Sequence, residues 1–308
     1  MKQTRRELML SVGCALAAPA MMKARSAPRR YPIGFSTLGC PKWDWKTILE
    51  NAAKWGYAAI ELRGLQGEMD LTKRPEFSAA GVKQSLRDLQ ALGLQVSDLG
   101  ASTRLHEPDA AVRQKQLDEG KRFIDLARRL KSPYVRVFGD RWVQGEPHEK
   151  TIERIVDGLR ELARHARGTG VAVIVETHGD FTESATVARM VKMVESREVG
   201  VLWDTHHTWV AGKEQPADSL RALSPYVRHV HIKDSVPQGQ DVRYVLPGQG
   251  KLPLREIVRV LAQNRYRGFY GLEWEKAWHP EIEEPEVAFP HFAKLMGGYL
   301  KEAGVAAK

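Results

Sequence analysis

Val171-Ala172-Val173-Ile174-Val175-Glu176-Thr177-His178 and, one crossover later, Val199-Gly200-Val201-Leu202-Trp203-Asp204-Thr205-His206-His207 are the runs on which the fold turns. Each is a short β-branched stretch without polar alternation, which is how a strand covered on both faces reads. Each then ends on an acid. Working outward, similar runs occupy 33–37, 57–62, 96–101, 134–139, 227–234 and 268–275, giving eight predicted strands. Helix-period segments lie between them, at 45–55, 82–92, 110–130, 150–167 and 254–264, several preceded by cap residues such as Asp44 and Asp109. Strands that alternate with helices must pair in parallel, and eight right-handed crossovers close a barrel. The expectation is an α/β chain, a (β/α)8 TIM barrel. An open doubly wound sheet is the competitor, but Ser36-Thr37-Leu38-Gly39-Cys40-Pro41 after the first run is no phosphate-binding G-x-G-x-x-G turn.

The length of 308 residues suits one such barrel with modest additions. With 43% hydrophobic and 28% charged residues, the composition excludes a disordered, collagenous or multi-span membrane chain. The formal charge of +9 invites a nucleic-acid partner, yet without residues 1–27 it falls to about +5, a mild excess.

Residues 1–27 read as an export signal and 28–308 as a single barrel domain. Basic residues precede an apolar run from Leu8 to Ala20, too short to span a bilayer as a helix, and small residues offer cleavage after Ala20 or near Ser26 and Ala27. Thr4-Arg5-Arg6-Glu7-Leu8-Met9 resembles the twin-arginine motif, which implies a periplasmic protein folded before export. Cys14 lacks a lipobox leucine, since Ser11 stands there. The alternative is an uncleaved N-terminal anchor. Once the segment is removed, Cys40 is the only cysteine, so no intrachain disulfide forms and no stable membrane anchor remains.

A charge inside a doubly covered strand either finds a partner or does chemistry. In Val227-Arg228-His229-Val230-His231-Ile232-Lys233-Asp234, period-2 alternation sends Val230 and Ile232 toward the helices and His229, His231 and Lys233 inward. The same parity turns Glu176, Asp204 and Glu273 inward, at the C-terminal strand ends where barrel enzymes keep their sites. Glu176, Asp204, His231 and Glu273 thus form an expected ligand set for a divalent metal ion: Mn2+ first, with Mg2+, Co2+ or Zn2+ as alternatives. Without a cation, three close carboxylates would repel one another. The competing reading is separate ion pairs from these acids to Arg136, Lys233 or Arg243.

Glu176-x-His178, Asp204-x-x-His207, His231-x-Lys233-Asp234, the Gly248-Gln249-Gly250 turn, and Tyr266-x-Gly268 leading to Glu273 together resemble the sugar phosphate isomerase/epimerase family. This is the xylose-isomerase-like barrel group that includes ketose 3-epimerases, hydroxypyruvate isomerases and inosose dehydratases. The resemblance spans about residues 32–300. It implies that Glu176 and Glu273 bind the metal and flank the substrate as the catalytic acid/base pair. It also implies that Asp204 and His231 complete the metal set, and that His207 contacts substrate. One position departs. Ketose epimerases of this group carry an arginine six residues after the strand-seven histidine, where this chain has Pro237; Arg243 is expected to reach the same space from a longer loop.

The implied chemistry is an enediolate reaction on a keto-sugar or related hydroxy-ketone, giving an isomerase, an epimerase or, by expulsion of a β-substituent, a lyase or dehydratase. His178 and Lys233 are further expected substrate contacts, as is Trp43, which with Trp142, Trp209 and Trp278 falls in a loop after a strand. Arg136 is expected to pair with the acids, and His106 and Glu107 to lie in a solvated loop. The expected partner is a small carbohydrate, not nucleic acid, although endonuclease IV-type repair enzymes share the barrel with more histidines around three zinc ions. A non-catalytic exported sugar-binding protein is a further alternative. A homo-oligomer is among the expected assemblies.

Overall fold

The computed structural model describes residues 29–307, so the segment expected to direct export, with its Arg5-Arg6 pair, lies outside the described residues. Eight parallel strands close a barrel: β1 (Ile33–Ser36), β2 (Ala59–Leu62), β3 (Gln95–Arg104), β4 (Tyr134–Phe138), β5 (Ala172–Glu176), β6 (Val199–Asp204), β7 (Val227–Ile232) and, after a hairpin, β10 (Tyr270–Leu272). Neighbours follow chain order around the ring, and β10 closes it by pairing Ile33 with Tyr270 and Gly271 with His231. The eight-strand expectation holds.

Helices α1 (Trp45–Lys54), α2 (Gly81–Ala91), α3 (Ala110–Leu130), α4 (His148–Ala166), α5 (Ser184–Val194), α6 (Thr205–Val210), α7 (Pro216–Leu223), α8 (Leu254–Gln263) and α9 (Pro285–Glu302) accompany the strands. The caps read from sequence start two of them: Asp44 Oδ1 accepts from Thr47 N at 2.8 Å, and Asp109 Oδ1 accepts from Val112 N at 2.8 Å. The helices bury apolar faces such as Ile155, Leu159 and Leu162 of α4 or Ile257, Val258 and Leu261 of α8. These meet the outward strand residues Val173, Val175, Val230 and Ile232 in one contiguous core. Among the described residues no helix is long and apolar enough to cross a membrane.

Several strand ends differ from expectation: the third runs on to Arg104, the fifth stops at Glu176, the eighth spans only Tyr270–Leu272, and two further differences shape the site. The sixth run stops at Asp204 instead of continuing to His206, because Asp204 Oδ1 accepts from both His206 N and His207 N at 2.8 Å and so caps α6. The seventh stops at Ile232. Asp234 instead opens an antiparallel hairpin, β8 (Asp234–Gln238) with β9 (Asp241–Val245), whose turn contains Gly239 at φ 64°.

The Asp234 carboxylate fixes the base of this hairpin. It accepts from the backbone N–H of Gly248 (2.8 Å), Gly250 (2.9 Å), Leu252 (3.1 Å) and its own neighbour Ser235 (2.9 Å). The Gly248-Gln249-Gly250 turn is therefore a structural cradle: a Cβ at Gly250 would meet Asp234 Oδ1 at 2.0 Å. Asp234→Ala strands four donors at a buried position, and chemical denaturation should show a loss of about 3 kcal/mol. A change below about 1 kcal/mol would show that the turn holds without it.

Candidate metal and acid/base site

Register sets the depth of the ligands. Asp204 pairs with His231 across β6 and β7, Phe138 pairs with Glu176 across β4 and β5, and Glu273 follows β10 with its N–H donating to Ile232 O at 3.1 Å. One ligand atom from each of Glu176, Asp204, His231 and Glu273 lies within 4.8 Å of the others, all four residues buried. His231 Nδ1 stands 3.6 Å from Glu176 Oε1, 3.9 Å from Asp204 Oδ2 and 3.4 Å from Glu273 Oε1.

The donor set fits a divalent cation. His231 Nδ1, Glu176 Oε2 and Asp204 Oδ2 are buried and make no well-directed hydrogen bond, although Arg136 Nε stands 3.1 Å from Glu176 and Lys233 Nζ 2.9 Å from Asp204. The second nitrogen of His231, Nε2, lies 2.6 Å from Glu61 Oε2. An imidazole that donates Nε2–H to a carboxylate presents its Nδ1 lone pair to a metal in a fixed direction. Charge agrees. Glu176 accompanies Arg136, three carboxylates (Asp204, Glu273, Glu275) share the buried Lys233, and Glu61 backs His231, so carboxylates outnumber these two cations.

That excess shapes the protonation states. Burial opposes a charge on His231, but Glu273 and Glu61 outweigh it and raise its pKa well above the imidazole range. Burial, reinforced by Glu273 and Glu176 against Lys233, pushes the Asp204 carboxyl up to about 7. Against burial, Arg136 keeps Glu176 low, while His231 and Lys233 hold Glu273 well below the usual carboxylate range. Burial and Lys233 depress His207, which is neutral near pH 7.

The remaining expected residues separate. His207 joins the cluster, its Nε2 lying 3.6 Å from Asp204 Oδ2 and 3.3 Å from Lys233 Nζ. His178 stands edge-on to it with ring centroids 5.0 Å apart. Lys233 is held by Asp204, Glu273 (2.5 Å) and Glu275 (2.6 Å), the position of a counter-ion, and Arg136 pairs with Glu176 as expected. Arg243 does not reach the site. It is exposed on β9, whose alternation gives the inner face to its neighbour Tyr244, 5.4 Å from the His206 ring and 5.8 Å from Lys233 Nζ. Trp43 instead packs, half-buried, on Trp55 (ring centroids 5.9 Å apart) and Phe289 (5.7 Å) at the edge of the core.

Glu61, Glu275 and Tyr244 escaped the sequence reading. Glu61 carried a signal, an acid inside the apolar run Ala59-Ile60-Glu61-Leu62. It is itself backed by His229 Nε2 at 3.5 Å, which stands 3.2 Å from Asp98 Oδ1. Glu61→Gln should weaken divalent-metal binding by about 10- to 100-fold, measured by competition with a metallochromic chelator. An unchanged dissociation constant would remove Glu61 from any orienting role.

A closed barrel with an acid-rich cluster at its C-terminal mouth, together with epimerase and dehydratase relatives, supports an enzyme of the isomerase and epimerase kind or a lyase. The chain belongs to the xylose isomerase-like TIM barrel family, whose profile matches residues 49–292. It is 24% identical over 250 residues to the fructoselysine 3-epimerase of Shigella flexneri, covering 78% of this chain and 88% of that protein. To the inosose dehydratase of Serratia proteamaculans it is 25% identical over 312 residues, covering 89% of this chain and 96% of the relative. The solved structure of the IOLI protein with a bound zinc atom superposes at a TM-score of 0.75 with 19% identity, covering 88% and 99% of the two chains.

Proposed function

We propose that the protein is a divalent-metal-dependent isomerase or epimerase of a keto-sugar or related hydroxy-ketone, with Glu176 and Glu273 as its acid/base pair. The observation that carries this is the convergence of four ligand atoms on one point, with His231 Nδ1 left free by the Glu61 contact. When bound there, a divalent ion supplies Lewis acidity that polarises a substrate carbonyl and acidifies the neighbouring C–H. We take Mn2+ as the resident ion, with Mg2+, Co2+ and Zn2+ as alternatives that the nitrogen and oxygen donors also suit. Glu176 and Glu273 both approach His231 Nδ1 from separate strands, and in this reading one carboxylate takes a proton from the substrate and the other returns one. Arg136 holds Glu176 ionised, and His231 with Lys233 does so for Glu273, so either can take the proton and the one that returns a proton first draws it from solvent. Neutral His207 offers a hydrogen bond to a substrate oxygen beside Asp204.

A lyase or dehydratase is the second reading. It is favoured by Pro237 at the place of the ketose-epimerase arginine, by the exposure of Arg243, and by the dehydratase relative. Both readings are tested by incubating metal-loaded protein in D2O with free ketoses, inososes and 3-keto-glycosides. Product NMR should show deuterium at the carbon beside the carbonyl, and a released substituent identifies the lyase. EDTA should abolish exchange and remove about 2.7 kcal/mol of stability, the amount a ligand at 100 times its dissociation constant supplies. No exchange and no turnover, with ligand affinity unchanged in Glu176→Gln and Glu273→Gln, would make the protein a binder. Export to the periplasm is also part of this proposal, carried by Arg5-Arg6 and the following apolar run. N-terminal sequencing of the periplasmic fraction should find a chain starting after Ala20 or near Ser26 and Ala27. A full-length cytoplasmic chain would overturn it.

A further inference from the structure

Beyond the metal cluster, the loops after β3, β4 and β5 hold a second polar group that the reaction does not use. The residue Asp140 is only 6% exposed, yet its carboxylate makes no hydrogen bond closer than the approaches around it. His178 Nδ1 is 3.8 Å from Oδ1; His106 Nδ1, Arg104 Nε and Arg141 Nε are 3.9, 3.6 and 3.9 Å from Oδ2. Both imidazole Nδ1 atoms are buried and unpartnered. Buried polar atoms left this way are rare, and these leave hydrogen-bonding capacity that a water or a ligand oxygen takes up.

The backbone holds this arrangement rigidly. Asp140 has φ 76°, a left-handed conformation uncommon outside glycine but tolerated by Asp and Asn. Its carbonyl accepts from Asp180 N at 2.8 Å, and a Cβ at Gly179 would come within 2.1 Å of that oxygen. The β4 and β5 loops are thus locked together, with the carboxylate aimed between the two imidazoles.

The two imidazoles lie nearest different carboxylate oxygens, and among the described residues the three side chains do not form a convergent metal-ligand group. A gap of 3.8–3.9 Å admits a single oxygen at about 2.8 Å from both sides. Two such gaps side by side, one per carboxylate oxygen, match two adjacent hydroxyls, each donating to Asp140 and accepting from an imidazole N–H. Contact runs from the metal cluster through His207 to His178 and so to Asp140, which places the hydroxyl pair a few carbons beyond the reacting centre. We propose that Asp140, His106 and His178 form a distal subsite for a vicinal diol, selecting a neutral polyhydroxylated substrate over one that ends in phosphate. This rests on the keto-sugar reading above.

The test pairs each 2-ketohexose and inosose probe with its analogue lacking the distal hydroxyls. Equilibrium binding and deuterium exchange are measured for the metal-loaded wild type, Asp140→Asn and His106→Ala. Asparagine keeps the left-handed backbone, so a folded variant is expected, and circular dichroism checks it. The wild type should prefer the full polyol by on the order of 10- to 100-fold, and this preference should collapse toward unity in Asp140→Asn. Equal losses for the polyol and its analogue, or an unchanged preference, would overturn the subsite, as would tighter binding of a 6-phosphate than of the free sugar. A wild type that shows the Asp140-dependent preference without exchange keeps the subsite and overturns the enediolate reading. One that binds none of the probes overturns the subsite.

Discussion

Glu176→Gln and Glu273→Gln should each lower deuterium exchange into the accepted keto-sugar by about 10²- to 10⁴-fold, the range a positioned general acid or base supplies. The expectation follows from placement. The two carboxylates approach His231 Nδ1 at 3.6 and 3.4 Å, and buried cations keep them ionised, Arg136 for Glu176 and His231 with Lys233 for Glu273. Glutamine keeps an oxygen for the metal and loses the ability to take a proton, so metal content measured alongside separates the two roles. Exchange lost together with the metal assigns the residue to binding. Exchange lost while the metal stays assigns it to proton transfer. Retention of more than a tenth of the wild-type rate in both variants would remove the acid/base pair from the mechanism.

Lys233→Met is expected to destabilise the metal-free protein by about 3–5 kcal/mol, the cost of leaving buried charge uncompensated. Lys233 is 1% exposed, and its ammonium is the shared partner of Asp204, Glu273 and Glu275. Methionine fills the stem's volume and contributes no charge. Urea unfolding of EDTA-treated protein reads the loss. Saturating Mn2+ should restore a large part of it, since a divalent cation compensates the same carboxylates. Stability equal to the wild type without metal would mean that these acids are not ionised together in the folded state. Glu275→Gln is the companion variant: it removes one carboxylate from the ammonium without touching the metal set, and should cost less than Lys233→Met.

The eight β-branched runs, their spacing and the parity of their polar residues were legible because doubly covered strands leave no other place for Val, Ile and Leu. That parity alone turns Glu176, Asp204, His231 and Glu273 inward, and one ligand atom of each meets the others. Element ends were less legible. Whether a chain leaves the barrel at Asp204 or two residues later depends on one side chain capping the next helix, a choice that hydrophobic pattern does not record.

What the sequence by itself determined is the barrel and the inward acid and imidazole set, since both follow from local periodicity and from the cost of burying charge. Only the tertiary structure decided that Glu61, remote in the chain, locks the His231 ring, that Tyr244 and not Arg243 faces the site, and that Trp43 serves packing. It also brought Asp140 between His106 and His178. The physical reason is that hydrogen bonds and ion pairs act over a few ångströms between residues brought together only by barrel closure, and no spacing along the chain encodes that distance.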